Sequence, residues 1–153
     1  MLSRLLLFAH VMGAIMWLGG GYVFQLFVER AVATDNVERM RGLMEDGERL
    51  GKKYFGPLSI IVLASGLALV FTANWGFGHV FVIGGLAGLV ASAVIGGALI
   101  GPTVARIRAG FDKSDASATY ELNAAMRRLR NIGRTDAVIT TLVVYLMTVK
   151  PGG

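Results

Sequence analysis

Residues 80–101, VFVIGGLAGLVASAVIGGALIG, hold no charged side chain and no proline. As an α-helix at 1.5 Å per residue the stretch is about 33 Å long, which matches the hydrocarbon thickness of a bilayer. Its apolar residues run continuously rather than recurring on one face, so the helix has no side suited to water. Read this way, the segment is a membrane span, and the rest of the chain has to be consistent with that.

It is. Of the 153 residues, 54% are hydrophobic and only 16% charged, which is too apolar for a water-soluble domain of this size. Three further apolar blocks run from about Leu2 to Val28, from Phe55 to Ala73, and from Ala137 to Val149. The last reaches spanning length only if its helix starts near Ile132, which brings Arg134 and Asp136 to the interface. Between the second and third blocks, NWGFGH (74–79) makes a tight turn with interfacial aromatics, as in a membrane hairpin. The fold class is therefore all-α, a four-transmembrane-helix bundle forming one integral membrane domain over residues 1–153.

Charge placement orients the bundle. All of the 15 Lys and Arg except Arg4 and Lys150 fall in the connectors 29–54 and 102–135, both on one side of a four-span protein. By the positive-inside rule that side is the cytoplasm, with both termini outside. The expected location is a bacterial inner membrane. The net charge of +5 then reflects topology and contact with the lipid bilayer, and nucleic acid is not needed to explain it.

Each connector carries helical periodicity. Val37, Met40, Met44 and Leu50 share one face, and Tyr120, Leu122, Ala125, Met126 and Leu129 share another, with Asp35 or Asn36 and Ser114 as caps. These segments form either a solvated, lipid-facing collar or cytoplasmic extensions of the spans, and the collar is the expected form. The first span is too long for a cleaved signal sequence, so it is expected to be retained. Without cysteine there is no thiol chemistry, and no nucleotide-binding or nucleophile-elbow motif is present.

In residues 80–101, Gly84, Gly88, Ser92 and Gly96 recur every fourth position. Small residues at that spacing let helix backbones approach closely. The strip serves either packing within the bundle or a homo-oligomer or membrane-complex partner.

The chemistry centres on the first span, LFAHVMGAIMWLGGGYVFQLFVER (7–30). His10 stands several residues deep, where an imidazole needs a hydrogen-bonding partner, a metal or a proton-carrying role. Gly13, Ala14, Trp17 and Gly20 lie near its face. A haem b macrocycle would use such an arrangement, with His10 as axial ligand over a floor of small residues. His79, at the mouth of the third span, is a remote second metal ligand. Copper competes with haem, with Met12, Met16 or Met147 as soft partners. Asp136 reads as a helix cap or a proton-carrying carboxylate, and Arg134 as a headgroup contact. Gln25, Thr140, Thr141 and Tyr145 read as hydrogen-bonding glue between helices.

The motif HVMGAIMWLGGG resembles the first helix of the HemJ-type protoporphyrinogen oxidases, in which a His is followed by Trp seven and Gly ten residues on, here His10, Trp17 and Gly20. The copper-resistance D membrane domain is similar in the same helix. The HemJ resemblance implies a haem-ligand role for His10, although Val23, Phe24 and Gln25 stand where those proteins carry Pro-Arg. Over nearly the whole length, FGPLSIIVLASGLALV, GALIGPTVARI and RTDAVITTLVVYLMTVKPG resemble a bacterial family of small predicted integral membrane proteins, a domain of unknown function. Two functions are thus open: a b-type haem protein of electron transfer or porphyrin oxidation, or a non-enzymatic component such as a small transporter, a copper-handling protein or an accessory subunit.

Overall fold

A computed structural model of the chain describes residues 1–34, 36–73, 75–111 and 116–151. Among these, α1 spans Leu2–Thr34, α2 Val37–Leu50, α3 Gly56–Thr72, α4 Val80–Val94, α5 Gly101–Gly110 and α6 Ala116–Val149. Four helical stretches are long and apolar enough to cross a membrane: Leu2–Thr34, Glu38–Thr72, Val80–Gly110 and Tyr120–Val149. Each extends past the apolar block seen in the sequence, so every span continues into the polar connectors as helix. The fourth does so by starting well before Ile132.

The inner two stretches change winding where they leave the apolar zone. Wide π-helical turns occupy Gly51–Phe55, between α2 and α3, and Ile95–Ile100, between α4 and α5. In the first, the Gly56 N–H reaches the Gly51 carbonyl; in the second, the Gly101 N–H reaches the Gly96 carbonyl. The sequence is the same at both places, G-x-x-x-x-G-P, at 51–57 and 96–102. Proline has no N–H and its ring crowds the preceding turn, and a wide turn framed by glycines absorbs that crowding without breaking the helix.

In the bundle α1 packs on α3 and on α6, and α4 packs on α6, while α3 and α4 touch sparingly despite the short turn that joins them. The α4–α6 contact uses the small-residue strip. A Cβ at Gly84 would meet Leu146 at 2.8 Å, and Cβ atoms at Gly85 and Gly88 would collide with Met147 and Val143. Ser92, in the same strip, donates to Asp136 Oδ1 at 2.6 Å. Of the two uses open to the strip, packing within the bundle takes most of it, because α6 of the same chain covers it, and only Gly96 at its end faces open space.

The connectors do not form a collar. Met40 and Met44 of α2 and Met126 of α6 have no exposed surface, and they pack with Val28, Ala31, Val104, Ile107, Leu122 and Leu129 into one apolar core at the basic end of the bundle. Two periodic residues stay outside it: Tyr120 and Leu50 are exposed. The amphipathic faces were correctly read, but they meet each other instead of lipid because α2 and α5 prolong the inner spans alongside the extended ends of α1 and α6. Asn36 caps α2 by accepting from the Arg39 N–H at 2.9 Å; Asp35 and Ser114 lie outside the described residues.

Candidate ligand cavity

His10 is held by α3. Its Nδ1 lies 3.0 Å from the Val62 carbonyl oxygen and 3.3 Å from Ser65 Oγ. A carbonyl oxygen can only accept, so Nδ1 carries the proton and the ring is the tautomer whose Nε2 bears the free lone pair. Ser65 directs its own proton to Ile61 O at 2.5 Å, leaving its oxygen free to accept from the same imidazole. Gly66 completes the seat, since a Cβ there would come within 2.9 Å of His10 Cε1. No hydrogen bond to Nε2 occurs among the described residues.

The imidazole borders a cavity of about 390 Å³ between α1, α3, α4 and α6. That volume falls in the range of small-molecule sites. The walls are nearly all apolar, and Ala14 and Trp17 line them together with His10, as do Gly66, Phe81 and Met147. At the rim, the Lys150 ammonium lies over the Trp75 ring, 4.4 Å from its centroid, and 5.8 Å from that of Phe81. The cavity thus combines an apolar body, one imidazole whose Nε2, in the neutral ring, bears a lone pair, and one cation in its lining.

The expected floor divides in two. At about 100° per residue, Ala14 and Trp17 stay within about 40° of the His10 direction, whereas Gly13 and Gly20 turn about 60–80° away. Those two glycines face α3: a Cβ at Gly13 would meet Val62 Cγ2 at 3.1 Å, and one at Gly20 would meet the Tyr54 ring at 2.7 Å. Tyr54 in turn donates its hydroxyl to Met16 O at 2.8 Å. A planar ligand next to His10 would therefore lie against Ala14 and Trp17, without the two glycines beneath it. Met147 reaches the cavity, but Met12 and Met16 are exposed on the outer surface of the bundle. His79 precedes α4 and its ring lies 5.6 Å from that of Phe81. No cluster of three or more His, Cys, Asp or Glu residues able to hold a metal occurs among the described residues.

Asp136 is no helix cap, because α6 runs through it uninterrupted. Instead it accepts a hydrogen bond from the Ser92 hydroxyl between α4 and α6. Arg134 makes a two-pronged contact with Glu29, Nε to Oε1 at 2.6 Å and Nη2 to Oε2 at 2.8 Å. Gln25 joins α1 to α6 by donating to Arg130 O at 3.0 Å. Thr141 is hydrogen-bonded to Tyr22 across the same interface. Thr140 spends its hydroxyl on α6 carbonyls, and Tyr145 is exposed.

Reading along the sequence missed the α3 half of this site: the Val62 carbonyl, Ser65 and Gly66, and also Lys150 at the rim. The Ser65-Gly66 pair inside the apolar run LASGLA is the signal that could have marked the helix facing His10. The chain matches no curated protein and no solved structure. Its residues 4–151 match the model of a family described as predicted integral membrane protein, DUF2269, and at that coverage the chain belongs to this family.

Proposed function

We propose that this membrane protein takes a largely apolar ligand into the His10 cavity, and that the ligand is haem b, with His10 Nε2 as axial ligand and a role in electron transfer or porphyrin oxidation. The observation that carries the reading is the bond from His10 Nδ1 to Val62 O. Metal-ligating histidines usually donate their other ring nitrogen to a carbonyl or carboxylate, which fixes ring orientation and strengthens the ligating nitrogen. The cavity's apolar walls and the Lys150 cation at the rim suit a hydrophobic ring with acidic substituents. Haem supplies one-electron redox chemistry when bound; the chain holds the ring, excludes water and places a cation at its edge.

The test is the optical spectrum and metal content of the protein purified in mild detergent after expression with haem supplied. The expected result is a Soret band at near-stoichiometric haem, reduced at least tenfold in His10→Ala and also lost in Gly66→Leu, which displaces the imidazole. Copper without haem, removed by His10→Ala and by Met147→Leu, would favour the copper-handling alternative, because Met147 shares the cavity. A folded, colourless, metal-free wild type would overturn both and leave the non-enzymatic reading.

A further inference from the structure

A second cavity, of about 480 Å³, lies between α5 and α6 at the basic end. Its floor is made of small residues, Ala109 and Gly110 from α5 and Ala124 and Ala125 from α6. Arg106 lines it from one helix and Arg128 from the other. Three nearby cations are already engaged: Arg108 and Lys52 with Glu48, Arg134 with Glu29. Arg106 and Arg128 have no ion-pair or hydrogen-bond partner among the described residues.

The level of these two side chains relative to the bilayer identifies what could neutralise them. Arg106 is five residues beyond Gly101, where the third apolar block ends, and Arg128 is four residues before Ile132, from which the fourth span reaches membrane-crossing length. At 1.5 Å per residue both Cα atoms stand about 6–8 Å outside the hydrocarbon. The headgroup layer on each face of a bilayer is about 5–8 Å thick, so both guanidinium groups fall at the level of the lipid phosphates. Glu121 also lines the cavity, but seven residues from Arg128 it lies about 10 Å farther out. The two guanidiniums are thus the charges of the groove nearest the phosphate layer.

We propose that the groove between α5 and α6 binds the phosphate headgroup of an anionic phospholipid, with Arg106 and Arg128 as its two cationic walls. Guanidinium forks match phosphate oxygens in bidentate geometry, and the small floor leaves room for the headgroup between them. Basic groups in such positions favour anionic lipid, and this assignment is independent of what occupies the His10 cavity.

The experiment is native mass spectrometry of the delipidated full chain in detergent, titrated with phosphatidylglycerol or phosphatidylcholine. Wild type should retain phosphatidylglycerol in preference to phosphatidylcholine. The double variant Arg106→Gln/Arg128→Gln should weaken phosphatidylglycerol about tenfold or more, from the loss of two such contacts. The control Arg39→Gln/Arg127→Gln, which removes two charges outside the groove, should change it less than twofold. Equal weakening by both pairs would overturn the site in favour of a diffuse charge effect. No preference between the lipids would overturn it as well, and displacement of the lipid by millimolar inorganic phosphate would reassign the groove to a soluble anion.

Discussion

Gln25 of α1 fills the space that a side chain at position 133 of α6 would need: a Cβ on Gly133 would fall on the Gln25 amide. That amide bonds to Arg130 O one turn away. The two helices therefore depend on glycine at 133 for the contact between them. Gly133→Ala should destabilise the protein, because overpacking costs about 1–3 kcal/mol while alanine regains at most about 1 kcal/mol of helix propensity. Adding Gln25→Ala should recover part of the loss, since the two sites share one volume. Thermal unfolding in detergent of both single variants and the double variant checks this; strictly additive effects would contradict it.

Two glycines of the third span, one in α4 and one in the wide turn after it, should respond differently to the same substitution. Gly88→Ala collides with Val143, whereas Gly97→Ala meets nothing within 4 Å. We expect Gly88→Ala to lower the unfolding temperature clearly and Gly97→Ala to leave it unchanged or raise it by the equivalent of up to about 1 kcal/mol. Comparable melting curves for the two would mean that α4 does not pack on α6 through this face.

At the basic end, Met44→Ala should cost about 2–5 kcal/mol, the range for truncating a fully buried core side chain. Ile60→Ala, on a side chain exposed at the bundle surface, should cost far less in detergent. A thiol placed at Met44 should likewise resist labelling until the protein is unfolded. Rapid labelling of the folded protein would restore the lipid-facing collar.

Between α4 and α6, Ser92→Ala removes the donor to Asp136. Hydrogen bonds between membrane helices average about 0.6 kcal/mol and reach about 1.7, and this one should fall within that span. Ser92→Thr, which keeps a hydroxyl, should restore much of the difference. Unfolding in mixed detergent measures both; indistinguishable stabilities of Ser92→Ala and wild type would remove the bond from the account.

Orientation is tested most directly by cysteine accessibility. Gly42 and Gly78 have open space around the Cβ position, so cysteine fits at either. If the basic end is cytoplasmic, an impermeant thiol reagent should label Gly78→Cys in intact cells and leave Gly42→Cys unmodified until the membrane is breached. The reverse pattern would invert the bundle.

How far the sequence could be read follows from the range of each interaction. The four spans were visible because hydropathy is a property of contiguous residues, and the α2 and α6 faces because helical periodicity is local. Whether Met40 and Met126 meet lipid or each other is a tertiary matter, and no local pattern distinguishes an interfacial helix from one folded onto a neighbour. For His10, the placement in a span marked the residue, and Ala14 and Trp17 followed from its helix face. Gly13 and Gly20 were misplaced because a small residue can admit a ligand or a helix, and only the position of α3 decides. Asp136 was misread because its partner, Ser92, is 44 residues away.

The sparse contact between α3 and α4 bears on how the apolar ligand proposed for the His10 cavity would reach it. Helices α1 and α6 pack along their neighbours, so the α3–α4 seam is the route by which the proposed ligand, dissolved in the bilayer, would reach the cavity sideways. Its chemical potential is then set by mole fraction in the lipid, and a trace hydrophobe that partitions strongly can saturate the site at negligible aqueous concentration. In detergent the same guest is diluted among micelles. Apparent affinity should fall in proportion to micelle concentration, as for any ligand that partitions strongly into the apolar phase.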